Sequence, residues 1–304
     1  GIANADAYVD ASTLTTRAAI DEAAVKYTVF GRVKPEQKRQ LVEALQKRKL
    51  KVAMTGDGVN DILAMKKADC SIAMGTGSDA ARQAAQVVLL DSNFGRLKNI
   101  VSEGRRDINN ITRSAILFLY KNMFSLFLAL FSIINAFTYP LQPSQISLIS
   151  AFNIGIPSFF LALEANEGKQ KGRFLTQTLL RALPASLTSF LSIAALVLFA
   201  GMFDLPDSEI GTASTYLLAV VGFIILIQLS KPLNRYRTII IVGCMVGFLV
   251  CLTWFDSLFS IEALSLESAS LCTVFALAEI TVIKALTELM NKGRSFAEHR
   301  NGGE

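Results

Sequence analysis

The chain has 304 residues, of which 52% are hydrophobic, with a net charge of +5 and a mean hydropathy of +0.42. That composition argues against an ordinary soluble protein, and because its basic residues flank apolar runs, membrane topology explains the charge better than nucleic-acid binding does. Four cysteines without a CxxC pair, and the single histidine His299 in a polar tail, argue against a disulfide framework or a zinc site.

Residues 1 to about 111 have the mixed polarity of a soluble α/β domain, and residues 112 to about 290 form long apolar runs. The opening GIANADAYVD has neither an initiator Met nor a signal-peptide pattern, so the chain is expected to be part of something longer. YTVFGR (27–32) predicts a strand, and PEQKRQLVEALQKR (35–48) a helix with Pro35 in its first turn. KVAMTG (51–56) predicts a second strand, followed by a helix from Asn60 to Lys67. CSIAMG (70–75), SDAARQAA (78–85) and QVVLLD (86–91) continue the pattern as strand, helix and strand. This alternation predicts a parallel sheet covered on both faces, with ligands at the carboxyl ends of its strands.

Thr55-Gly56-Asp57-Gly58-Val59-Asn60-Asp61 lies at such a strand end. Two glycines allow a tight turn and a close approach to a ligand. Two carboxylates four residues apart can converge on one site, and hard oxygen donors of this kind suit Mg²⁺ beside a phosphate. A bare GDG would be only a turn with polar caps; the seven-residue run after an apolar strand carries the functional reading. Lys38, one turn into the preceding helix, could neutralise a phosphoryl group as a point charge. On a charged helix alone it would be a surface lysine.

Val29 to Asp91, above all GRVKPEQKRQLVEAL, MTGDGVND and AMKKADCSIAMGTGSDAARQAAQVVLLD, together with FGRLKNIVSEGRRDINNI after it, resembles the P-type ATPases. The resemblance implies a haloacid-dehalogenase-like (Rossmann-like) α/β lobe, a reaction using ATP and Mg²⁺, and an aspartyl-phosphate intermediate. It implies that Asp57 coordinates Mg²⁺, that Asn60 and Asp61 support the phosphate site, that Lys38 contacts the phosphoryl group and that Thr55-Gly56 shape the loop. Ile62-Leu63-Ala64-Met65 departs from the NDAPAL run of many members. The DKTGT phosphorylation motif and the TGE actuator loop do not occur in this sequence. The expected partners are therefore the rest of the same pump (actuator domain, nucleotide-binding domain and first four membrane helices), a transported cation and the lipid bilayer. The expected organisation is the C-terminal part of the phosphorylation domain at 1–97, a stalk at 98–111, an all-α transmembrane bundle of about six helices at 112–290 and a cytoplasmic tail at 291–304.

A membrane helix needs about 20 mostly apolar residues. Six runs qualify, at about 112–138, 144–164, 178–203, 213–230, 237–256 and 267–290. Arg105, Arg106 and Arg113 precede the first. Lys169, Lys171, Arg173 and Arg181 lie around the second connection, Lys231, Arg235 and Arg237 around the fourth, and Lys292, Arg294 and Arg300 follow the last. The opposite loops carry Asp204, Asp207, Glu209, Asp256, Glu262 and Glu267, with no Lys or Arg. The positive-inside rule then puts the lobe and the C-terminus in the cytoplasm, in a membrane expected to be a bacterial plasma membrane.

Polar groups within these runs are candidates for an ion path, because burying them in lipid is costly. They are Lys121, Asn122, Asn153 beside Gly155-Ile156-Pro157, Glu164, Glu279 and Lys284. The alternatives are interhelical hydrogen bonding for Asn122 and Asn153, interfacial placement for Glu164 and Lys284, and pairing of Glu279 with Lys284 or with a polar partner on another helix. The resemblance implies that Asn122 is an ion-binding asparagine and that Gly155-Ile156-Pro157 matches a GLP segment. Ser125 and Ile154 stand where that pattern has carboxylates, and Lys121 is similar to the lysine of gastric-type proton pumps, a built-in counter-ion. Among cargoes Ca²⁺ is favoured; Mg²⁺, Mn²⁺, a monovalent cation or a lipid are the alternatives. A membrane-tethered phosphatase would need its own nucleophilic aspartate before Lys38, where no DxDx-like context occurs, and the intact GDGVND loop argues against a non-catalytic subunit.

Overall fold

The structure is a computed structural model; residues 3–164, 168 and 174–301 are described, with side chains to 292. Lys169, Lys171 and Arg173, and the side chains of Arg294, His299 and Arg300, lie outside the described residues. The chain divides into two compact units, Gly1–Val101 and Ser102–Glu304.

In the first unit β1 (Tyr8–Asp10) leads through α1 (Arg17–Lys26) to β2 (Val29–Gly31), which pairs parallel with β1 in the register Tyr8 to Val29. Thr16 caps α1 by accepting the Ala19 N–H at 3.2 Å. α2 (Pro35–Lys47) starts on a proline, and Gln37 Oε1 accepts the Lys34 N–H just before it. Next come β3 (Ala53–Gly56), a single 3-10 turn (Val59–Asp61), α3 (Ile62–Lys67), β4 (Cys70–Met74), α4 (Asp79–Ala84) and β5 (Val87–Leu89). β4 is the centre of a parallel sheet ordered β3-β4-β5. Met65, Ala73 and Ala81 form its packed core, with Met54, Ala85 and Val88 against them.

The expected strands are present but shorter, and they form two sheets where one was expected. The strand expected at 27–32 keeps only Val29–Gly31 and pairs with β1, a segment the sequence reading passed over. Three residues of strand are too short to show alternation.

α5 runs unbroken from Leu97 to Asn135, through both the segment expected as a stalk and most of the first apolar run. The second span is composite: α6 (Pro143–Ile149), a π-helical stretch (Ser150–Gly155) and α7 (Ile156–Ala162). Pro157 has no N–H to donate to the carbonyl of Asn153, four residues back, and the Ile156 N–H bonds the Ala151 carbonyl, five back. α8 (Phe174–Ala200), α9 (Asp207–Leu229), α10 (Arg235–Trp254) and α11 (Leu266–Asn301) complete the unit. Six spans among the described residues are long and apolar enough to cross a membrane. α8 and α9 are the central ones, with α11 packed on both, while α10 and α11 leave most of their apolar surface outward.

Candidate functional site: a phosphate-site loop and a polar layer between helices

Thr55 and Gly56 end β3, in register with Ile72 and Ala73 of β4. The next residue, Asp57, has an exposed side chain just beyond the carboxyl end of the sheet. Its main-chain carbonyl accepts the Ser78 N–H at 2.7 Å, tying the loop to the cap of α4. Asp61 closes the 3-10 turn, its N–H bonding the Gly58 carbonyl at 3.1 Å. Its side chain is buried, and Oδ1 lies 2.6 Å from Lys38 Nζ on α2. Gly56 makes this possible, because a β-carbon there would lie 2.4 Å from Asp61 Cβ. Asn60 is exposed beside the pair.

Gly77 and Ser78 were not singled out by the sequence reading, yet they belong to this loop cluster. A β-carbon on Gly77 would meet the Asp57 carbonyl oxygen at 2.7 Å. The signal was the Gly75-Thr76-Gly77-Ser78 run, which follows the neighbouring parallel strand as GDG follows β3.

Asp57 is free of ion pairs and side-chain hydrogen bonds among the described residues, so its carboxylate is available to a cation. No cluster of three or more His, Cys, Asp or Glu able to hold a metal occurs among the described residues. Mg²⁺ fits such a place: it commonly takes one or two carboxylates and completes its shell with water and substrate phosphate.

Elsewhere in the lobe Asp69 accepts from the Val52 N–H (2.9 Å), Lys51 Nζ (2.9 Å) and Gln46 Nε2 (3.1 Å). The Val52 bond first, then the lysine and amide, hold its carboxyl well below the usual range.

In the membrane unit the structure distributes the polar candidates. Lys121 Nζ donates to Ser150 Oγ of the π stretch at 2.9 Å. Asn122 is exposed, and no hydrogen bond of its side chain occurs among the described residues. Asn153 is 1% exposed; its Nδ2 donates to the Ala219 carbonyl of α9 at 3.2 Å, and its Oδ1 has no partner among the described residues. Gly222 leaves the room, because a β-carbon there would lie 1.8 Å from Asn153 Nδ2. Ser125, where the resemblance has a carboxylate, shares a hydrogen bond with Tyr139 at 3.1 Å.

Glu279 on α11 is fully buried, and neither carboxylate oxygen has a hydrogen-bond partner among the described residues. Lys284 is exposed and makes no ion pair with it among the described residues. The oxygens of Glu164 meet Arg237 Nε and Asn234 Nδ2, each at 2.5 Å. Partial burial opposes its charge, but the guanidinium and amide outweigh burial and hold the carboxyl below its ordinary value. The Tyr120 hydroxyl, which contacts Ser189 Oγ and donates to the Leu218 carbonyl, both at 3.0 Å, was also missed. The three-residue spacing of Ser186, Ser189 and Ser192 along α8 was its trace in the sequence.

Residues 5–69 match the family model for haloacid dehalogenase-like hydrolases. The chain is 38% identical over 257 residues to a probable cation-transporting ATPase, exp7, of Streptococcus pneumoniae, covering 82% of this chain and 33% of that protein. It is 35% identical over 289 residues to the calcium-transporting ATPase CtpE of Mycolicibacterium smegmatis, covering 90% of this chain and 36% of the relative. A calcium-transporting ATPase of Bacillus subtilis is 40% identical over 141 residues, 46% of this chain and 16% of that protein. The chain thus spans about a third of the length of the first two relatives. A haloacid dehalogenase-like lobe carrying the GDGVND loop, six apolar spans and similarity to transporting ATPases along most of the sequence make the chain an integral membrane protein of the P-type ATPase family, matching its C-terminal portion.

Proposed function

We propose that the chain forms part of an ATP-driven cation pump, with Ca²⁺ the favoured cargo, working through an aspartyl-phosphate whose aspartate belongs to the rest of the pump. The observation that carries this reading is the Lys38–Asp61 pair at 2.6 Å in the loop that also carries Asp57, whose carboxylate makes no ion pair or side-chain hydrogen bond among the described residues. It puts one cation and one open anionic ligand at the carboxyl end of a parallel sheet, where a phosphoryl group and its Mg²⁺ need them. The names of the transporting ATPases above support the cargo.

In this reading Asp57 would hold Mg²⁺, which supplies charge neutralisation on the transferring phosphoryl group. Lys38 places its ammonium toward the same group and is itself oriented by Asp61. Thr55, Gly56 and Asn60 shape the loop, and the Ser78 N–H fixes the backbone of Asp57. Lys121, Asn122, Asn153 and Glu279 supply the polar groups of the membrane path, while the Glu164–Arg237 pair fastens helix ends. The basic ends of the spans favour a cytoplasmic lobe and C-terminus, in a bacterial plasma membrane.

The test is the initial ATPase rate of the full-length pump across Ca²⁺, Mg²⁺, Mn²⁺, Na⁺ and K⁺. Stimulation by Ca²⁺ at the lowest concentration supports the reading. A rate indifferent to every cation contradicts it and brings a lipid cargo forward.

A further inference from the structure

At one end of the membrane unit a polar cavity of about 210 Å³ opens between α5, α8 and the segment after α9. It holds several waters' volume, at about 30 Å³ each. Three cations line it: Arg113 of α5, Arg181 of α8 and Lys231 just past α9. Asn109, Thr112 and Gln228 add polar groups. Arg113 is only 6% exposed, yet the one hydrogen bond its five N–H donors make among the described residues goes to the Leu161 carbonyl, at 3.2 Å. None of the three cations forms an ion pair with a carboxylate among the described residues. Glu164, whose charge reaches Arg113, is committed to Arg237 and Asn234.

Three like charges around one small cavity repel one another, weakly at the exposed Arg181 and Lys231, and the 6% exposed Arg113, with its single hydrogen bond, carries the larger cost. An anion among them removes both penalties. The level of the cavity says what kind: Arg113 immediately precedes the apolar part of α5, Arg181 lies in the first turns of α8, and Lys231 follows the last residues of α9. This is the depth of the lipid phosphates, where basic pockets between membrane helices recognise headgroups. Arg binds phosphate oxygens in a planar fork and Lys as a point charge.

We propose that this cavity binds the phosphate group of an anionic ligand, either the headgroup of an anionic lipid entering from the bilayer surface or free phosphate. It is a separate site from the GDGVND loop and from the polar layer around Glu279, and it does not depend on what the pump transports.

The experiment uses the full-length pump in phosphatidylcholine bilayers containing a trace of spin-labelled phosphatidylglycerol or spin-labelled phosphatidylcholine, read by electron paramagnetic resonance. A parallel arm measures radiolabelled inorganic phosphate by equilibrium dialysis. Preferential immobilisation of phosphatidylglycerol, weakened roughly thirtyfold in R181Q/K231Q, identifies a lipid site; the figure takes about 1 kcal/mol per Lys or Arg at the membrane surface and tenfold per about 1.4 kcal/mol. Phosphate binding lost in the same variant, with no lipid preference, identifies free phosphate as the ligand. R181K/K231R keeps the charge and keeps binding, and R235Q, an exposed cation outside the cavity, changes nothing. Equal immobilisation of both lipids with no phosphate bound, or binding unchanged in R181Q/K231Q, overturns the proposal.

Discussion

Lys38 Nζ and Asp61 Oδ1 are 2.6 Å apart, and the contact exists only because residue 56 has no β-carbon. A methyl at Gly56 would collide with Asp61 at its Cβ, which cannot swing aside as the end of a long side chain could. Gly56→Ala therefore moves Asp61 and with it the ammonium of Lys38. We expect the ATPase rate of the full-length pump to fall by about a hundredfold, the scale of a small misplacement at a reacting centre. The lobe should lose about 1–3 kcal/mol by overpacking. A wild-type rate in this variant would show that the pair is not part of the chemistry.

Gly222 and Asn153 make the same kind of contact between α9 and the π stretch. Gly222→Ala should destabilise the membrane unit by about 1–3 kcal/mol, measured as thermal unfolding in detergent. Adding Asn153→Ala removes the clashing amide and should restore the melting temperature without restoring cation uptake. If uptake returns as well, Asn153 only holds helices together.

Glu279 has no counter-charge and no hydrogen-bond partner among the described residues. Glutamine fills the same space without charge, so Glu279→Gln should keep the melting temperature within the equivalent of about 1 kcal/mol, as isosteric swaps do. Glu279→Lys buries an unpaired ammonium and should abolish the folded yield. Size-exclusion profiles and melts of both variants check this, and a well-folded Glu279→Lys pump would mean that the site is open to water.

Asp69 fastens the start of β3 through three hydrogen bonds, and its carboxyl titrates below its ordinary value of 3.8. A depressed carboxyl stabilises the fold fully above the unfolded value and loses that contribution as the pH falls through the folded one. Hydrogen exchange around residues 51–56 should therefore accelerate only below about pH 4. Asp69→Asn should raise exchange there at neutral pH and flatten the acid dependence. Unchanged exchange in that variant would remove Asp69 from the account.

The sequence was most informative where one residue type had one physical use. The glycines and carboxylates of GDGVND were readable because a strand end followed by two glycines has few other purposes, and the six spans because apolar length has almost none. The position of Lys38 one turn into α2 also hinted at its site. Its partner could not be read, because 23 residues separate it from Asp61 and only the fold brings them together. Asn122 and Asn153 show the opposite limit: both are asparagines in apolar runs, yet one is exposed and the other buried. Which face a helix turns inward depends on its neighbours, and an apolar helix that is hydrophobic all round carries almost no record of it.

The most direct test of the central claim is Ca²⁺ uptake into sealed vesicles carrying the full-length pump or its Asp57→Asn variant. Each is supplied with ATP and assayed in parallel for acid-stable phosphoenzyme. ATP-dependent uptake by the parent and a fall of at least about a hundredfold in the variant are expected, the scale on which single transition-state charge interactions act. Uptake by Asp57→Asn at the parental rate would contradict the claim.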